Sequence, residues 1–273
     1  MSTFKFRDKN IFYVVEGQGK PIIILNGIMM STRSWSPFVG SLSEKNQLIR
    51  FDFLDQGQSD KLIGETYTQD IQVELIKALM EHLHLDKASL VGISYGGSVA
   101  VQFAIKYPSF VDRLLLFNTT SYTSPWLRDI GRGWIEAGQT RNGEAYYHTT
   151  IPPIYSPYFY ETNIDWMQKR QALLVPIFSN PEFLDQMERL TFSAESYDVR
   201  ASLSKITAKT LIITAEEDYL TPIANQAYLH QNIKHSEWIK IPNTGHASMY
   251  ERPLLFTTLV LGFVNVKDTE YTI

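Results

Sequence analysis

Strand-like apolar runs alternate with segments of helical period along most of this chain, and that alternation is the strongest constraint on its fold. Residues 3–7 and 11–15 read as two β-like runs, a Gly17-Gln18-Gly19 turn follows, and residues 21–25 are wholly apolar. A short strand at 47–51 precedes residues 67–85, where Ile71, Leu75, Leu79 and Leu83 recur at helical spacing. Residues 88–91 read as a buried strand, 98–107 as a helix stopped by Pro108, and 111–117 as the next strand. The pattern resumes with strands at 210–214 and 237–241 and helices at 222–231 and 252–264. Apolar strands joined through amphipathic helices build a parallel sheet with both faces covered. The pattern therefore predicts a mainly parallel, doubly wound α/β sheet of eight strands.

The alternation breaks between about 121 and 197, where no run is a convincing strand. Ser124-Pro125 and Asn180-Pro181 each place a capping residue before a proline at a first helical position. Aromatic residues crowd this stretch, among them Trp126, Trp134, Tyr146, Tyr147, Tyr155 and Trp166. An interrupted α/β pattern is expected of one sheet domain, residues 1–120 and 205–273, carrying a helical cap insertion at 121–204.

Charge and composition exclude several function classes. A net charge of −4 and the lack of a Lys/Arg cluster give no electrostatic reason to expect a nucleic-acid partner. With no cysteine there is no disulfide, thiolate metal site or cysteine nucleophile. Residues 1–10 are polar and charged, unlike a secretion signal, and no window reaches the roughly 18 to 20 apolar residues of a membrane span. A cytoplasmic protein is expected, with its oligomeric state unspecified.

The strongest local signal is Gly92-Ile93-Ser94-Tyr95-Gly96-Gly97, set between an apolar strand and a helix. As a bare pattern it also describes a plain glycine–serine turn. In a strand–turn–helix setting it is the G-x-S-x-G elbow, which lifts a serine hydroxyl clear of the sheet. A serine needs a base to act as nucleophile at neutral pH. Of the six histidines, His82 and His84 end a helix, His230 and His235 flank one, and His148 lies in the insertion. His246 stands apart, in a turn after the strand at 237–241, where α/β catalytic groups collect. The strand at 210–214 is followed by Glu216, Glu217 and Asp218. Asp218, shortest and deepest in its loop, is the candidate for orienting the imidazole, and the chain order Ser94, Asp218, His246 is the order the elbow motif requires.

These motifs resemble those of the α/β-hydrolase superfamily over nearly the whole chain. Asn26-Gly27 is similar to the family's His-Gly oxyanion loop, and by that match the backbone N–H groups of Ile28 and Tyr95 would form the oxyanion hole. The run from Asp52 to Asp60 resembles the D-x-x-G-x-G-x-S loop, and Thr244-Gly245-His246-Ala247 the catalytic-histidine block. Asn26 replaces the usual histidine and Asp55 the usual first glycine. A weaker likeness joins the chain to bacterial 3-hydroxyacyl-carrier-protein transacylases. The resemblance implies a hydrolase acting on a small apolar acyl substrate, an ester or a thioester including a carrier-bound one, with no metal or organic cofactor. Transfer of the acyl group to another hydroxyl, and a catalytically silent ligand receptor, are the alternatives. Asn26, Trp35, Trp126 and Trp134 are the candidate substrate-binding residues.

Overall fold

The computed structural model describes residues 2–267 of the 273. All eight expected strands are present: β1 Ser2–Phe6, β2 Lys9–Glu16, β3 Lys20–Leu25, β4 Asn46–Phe51, β5 Ala88–Ile93, β6 Val111–Phe117, β7 Lys209–Ala215 and β8 Ser236–Ile241. They form one sheet in the order β1-β2-β4-β3-β5-β6-β7-β8. The β1–β2 and β2–β4 pairs are antiparallel and the other five are parallel.

The apolar runs become central strands because each must bury both faces. Successive side chains of a strand point to opposite sides. In β3, Ile23 and Leu25 join the core on one side while Ile22 and Ile24 join the core on the other. In β6, Leu114 and Leu116 divide in the same way from Leu115 and Phe117. The helix Asp70–His82 supplies Leu75, Ile76 and Leu79 to the first core, and Pro253–Asn265 supplies Phe256, Val260 and Val264 to the second.

Local differences from the expected boundaries have physical causes. The helix expected at 98–107 starts at Tyr95, directly after Ser94, so the elbow and the helix share their first turn. The helix expected at 252–264 runs unbroken as Pro253–Asn265, and a separate short helix, Ser248–Glu251, precedes it, because Pro253 has no N–H with which to continue that earlier turn.

Between β6 and β7 the chain forms the helices Pro125–Gln139, Gly143–Thr150, Pro157–Thr162, Ile164–Phe178 and Pro181–Ser193. Ser124, Asn142, Ser156 and Asn180 cap four of them by accepting from Leu127 N, Ala145 N, Phe159 N and Glu182 N. Tyr146, Tyr147 and Tyr155 are fully buried, so these aromatics pack the helices together. Among the described residues, no helix is long and apolar enough to cross a membrane.

The strand order changes direction at β3, whose neighbours β4 and β5 lie on opposite sides. The loops leaving β3 and β5 therefore diverge at their carboxyl ends, which opens a crevice there.

Candidate active site

Ser94 sits at that crevice with φ 53° and ψ −116°, a conformation costly for a residue with a side chain. The strain is tolerated because β5 fixes one side of the turn and the helix Tyr95–Lys106 the other. Backbone approaches too closely for larger residues on either flank. A Cβ on Gly96 would lie 2.2 Å from Leu25 O, and one on Gly92 would lie 2.7 Å from Gly97 Cα. Ser94 is half-buried and stands at the helix N-terminus, whose dipole favours negative charge.

Asp218 and His246 come together from the loops after β7 and β8. His246 Nδ1 lies 2.8 Å from Asp218 Oδ2, and the carboxylate has no exposed side-chain surface. Asp218 also accepts from Leu220 N, Thr221 N and Thr221 Oγ1. Glu216 is exposed and Glu217 half-buried, so Asp218 is the one acid of the three held against the ring. An aspartate acceptor at Nδ1 places the ring proton there and leaves the Nε2 lone pair free. Ser94 and His246 line the same cavity. Among the described residues, the imidazole bonds to Asp218, and the Ser94 hydroxyl is not yet engaged with it.

A residue the sequence did not single out holds these loops in register. Asn118, at φ 47° just after β6, donates through Nδ2 to His246 O at 2.6 Å and to Ser248 Oγ at 3.0 Å. Its Oδ1 accepts from Ala215 N at the end of β7. One side chain thus ties together the strand end before Asp218 and the loop carrying His246.

The loop after β3 brings Ile28 beside Ser94. No hydrogen bond uses the N–H of Ile28 or Tyr95 among the described residues, so both remain available to a ligand. Behind them Gln56 Nε2 donates to Gly27 O at 2.9 Å and Ile28 O at 3.1 Å. Asn26 donates to Phe51 O and Gln56 Oε1 and accepts from Trp35 Nε1 at 2.7 Å.

This arrangement corrects three substrate-binding expectations. Asn26 is 1% exposed with its donors and acceptor engaged, and Trp35 is 0% exposed against Phe38 and Phe256. Both stand behind the loop because the amide and indole satisfy each other inside the core. Trp126 is exposed, donates to Tyr219 O at 2.5 Å and lines no cavity that holds Ser94. Trp134 does face the site.

Ser94 lies where two cavities meet, and Ile28 and Trp134 line both. The smaller, of about 110 Å³, is walled mainly by apolar side chains including Leu127, Ile130, Ile135 and Phe192. The larger, of about 720 Å³, is more polar and includes Gln56, Lys61, Arg170, Gln186, His246 and Tyr250.

Three contacts fasten the helical stretch to the strands' loops. Asp55, at φ 66° and fully buried, pairs with Arg189 and accepts from Tyr67 OH at 2.8 Å. Glu251 accepts from Ser156 N, Ser156 Oγ and Gly245 N, which couples the helices to the residue before His246. Burial pushes the Glu251 carboxyl above the usual glutamate range against the pull of those donors. Tyr95 OH lies 2.8 Å from Ser193 Oγ. Asp55 was visible in the sequence as a charge in place of a glycine; its partner was not.

Residues 20–253 match the protein family described as alpha/beta hydrolase fold. The solved structure of MGS-M2, an alpha/beta hydrolase enzyme from a Medee basin deep-sea metagenome library, superimposes with a TM-score of 0.97 at 54% identity over 100% of both chains. The 2-hydroxy-6-oxo-6-phenylhexa-2,4-dienoate hydrolase of Comamonas testosteroni is 26% identical over 262 residues, 93% of this chain and 91% of that one. An Azorhizobium caulinodans protein with the provisional name carbamate hydrolase RutD is 24% identical over 96% of this chain and 97% of its own.

Proposed function

Because the chain belongs to the alpha/beta hydrolase fold family and is a hydrolase, we propose that it cleaves a carboxylic ester or thioester through an acyl-enzyme on Ser94. The observation that carries this reading is the 2.8 Å contact from His246 Nδ1 to the buried Asp218, on the cavity that also holds Ser94.

Ser94 Oγ attacks the carbonyl carbon while His246 Nε2 takes its proton, and Asp218 stabilises the imidazolium. Rotation of the serine hydroxyl toward Nε2 completes the relay when substrate fills the site, since such bonds often tighten only in the complex. The N–H groups of Ile28 and Tyr95 receive the oxyanion, each typically worth about 2.7–4 kcal/mol of barrier. His246 then protonates the leaving alcohol or thiol, and water deacylates the serine by the same route in reverse.

The helices at 121–204 act as a cap, with Trp134 as the wall between the two cavities. One cavity takes the acyl chain and the other the leaving group. Relatives named for a carbamate and for a phenylhexadienoate show that the reacting group varies among similar chains. Their names also favour water as the acceptor over a second hydroxyl.

Labelling the folded protein with a fluorophosphonate and mapping the adduct by mass spectrometry tests the reading. One adduct is expected, on Ser94, and none in Ser94→Ala. Absence of labelling on the folded wild-type protein would favour a silent ligand receptor.

A further inference from the structure

The larger cavity contains a cation that the ester chemistry does not use. Arg170, on the helix Ile164–Phe178, lines the same space as Ser94 and His246. Its guanidinium carbon lies 4.5 Å from the ring centre of Tyr250, 5.4 Å from Trp166 and 5.9 Å from Tyr155. Those rings hold the group in place and favour its charge. They supply no acceptor for its planar fork. Among the described residues, Arg170 Nε is buried without a hydrogen-bond partner, and so is the hydroxyl of Tyr155.

A buried arginine donor without an acceptor is costly. Arg128 Nε also lacks a hydrogen bond but has Glu195 Oε1 at 3.9 Å, and two other arginines carry close acceptors. Arg50 is paired with Glu16 at 2.7 Å and Arg189 with Asp55 at 2.6 Å. The other charged groups around the cavity do not answer Arg170. Lys61 donates to the carbonyls of Gln56, Gly57 and Ser59. Glu182 is exposed and receives Gln186 Nε2 at 3.4 Å. Arg33, also on this cavity, adds a further positive charge at its exposed rim.

We propose that Arg170 is the anion-binding residue of the site, and that the substrate carries a carboxylate on the part occupying the larger cavity. A carboxylate matches the guanidinium fork in two parallel hydrogen bonds, and the aromatic clamp fixes the plane in which they form. The substrate class narrows from an apolar ester or thioester to a half-ester or half-thioester of a dicarboxylic acid, or an equivalent with one free acid. The inference deepens the acyl-enzyme reading and rests on it for the chemistry.

Binding separates the two claims, because it needs no turnover. Calorimetric titration of the full-length Ser94→Ala protein would compare monomethyl glutarate with its neutral amide analogue, methyl 4-carbamoylbutanoate. The acid is expected to bind about 10- to 100-fold more tightly, the range for a hydrogen-bonded charge. Arg170→Gln, added to Ser94→Ala, is expected to abolish that preference with little effect on the amide. Arg170→Lys keeps the charge without the fork and should retain only part of it, which preserves the test if the glutamine variant does not fold. Equal affinity for acid and amide, no binding of either, or a preference undiminished in both variants overturns the proposal. Fluorophosphonate labelling of Ser94 in wild-type protein decides the acyl-enzyme reading independently.

Discussion

Asp55 and Arg189, 134 residues apart in the chain, form a forked ion pair across the junction between the strand loops and the helical stretch. Arg189 Nη2 lies 2.6 Å from Asp55 Oδ1, and Nε lies 3.1 Å from both carboxylate oxygens. The aspartate side chain is 0% exposed and the arginine 18%. Removing one member of a buried pair leaves the other charge uncompensated, and the cost follows how well water can reach the survivor.

The two halves of this pair should therefore respond unequally. Arg189→Met strands a fully buried carboxylate and is expected to cost about 3–5 kcal/mol. Asp55→Asn strands an arginine that water reaches in part and should cost less, about 1–3 kcal/mol. Urea unfolding of both single variants and the double variant measures the difference. Equal costs for the single variants would show that the pair is not asymmetric in burial.

The same pair shows where sequence reading ends. The central strands were legible because a strand buried on both faces must be apolar on both, as in β3 and β6. Ser94, Asp218 and His246 could be singled out because each lies in a turn or loop after a strand's carboxyl end. Asn26 and Trp35 were misassigned because a motif shows proximity to a site but not the direction a side chain faces. Arg189, Asn118 and the Glu251–Ser156 contact were missed because their partners lie 134, 128 and 95 residues away. No local pattern encodes a pairing at that distance.

Loss of the imidazole's acceptor should affect chemistry far more than binding. In Asp218→Asn the side chain can present an amide toward His246 Nδ1, which favours the wrong tautomer. The variant is expected to lose about 10⁴-fold in kcat on a short p-nitrophenyl ester, with KM changed little. Ser94→Ala should reduce turnover to the same floor or below it. A KM effect as large as the kcat effect in Asp218→Asn would show that Asp218 organises the pocket and not the proton.

Trp134 and Trp126 offer a paired comparison on one helix. Trp134 is 9% exposed and lines both cavities, whereas Trp126 is 57% exposed and lines neither. Trp134→Ala opens the wall between the cavities, so esters of longer acyl chains should gain kcat/KM relative to short ones, by about 10-fold or more. Trp126→Ala should leave the chain-length profile within a factor of about two, since a surface residue away from the site contributes little. A p-nitrophenyl ester series from acetate to octanoate reads both, and a profile shifted equally by the two variants would remove Trp134 from the selectivity wall.

Glu251 gives a prediction whose sign follows from burial. Its carboxyl titrates above the usual glutamate range in the fold because desolvation outweighs the hydrogen bonds from Ser156 and Gly245. The folded state then holds this proton at pH values where the unfolded chain has released it. The stability Glu251 contributes is full below the unfolded value and declines as pH rises through the folded one. Glu251→Gln cannot titrate, so the stability difference between wild type and variant should shift in favour of the variant as pH climbs from about 4.5, the unperturbed glutamate value. Because Glu251 bonds the residue before His246, a parallel loss of kcat is expected in the variant as the histidine loop loosens. Melting temperatures of both proteins across pH 4 to 8, taken with the same buffer ions, would reveal the effect as a converging pair of curves. Parallel curves would mean that Glu251 titrates in the folded protein where it does in the unfolded chain.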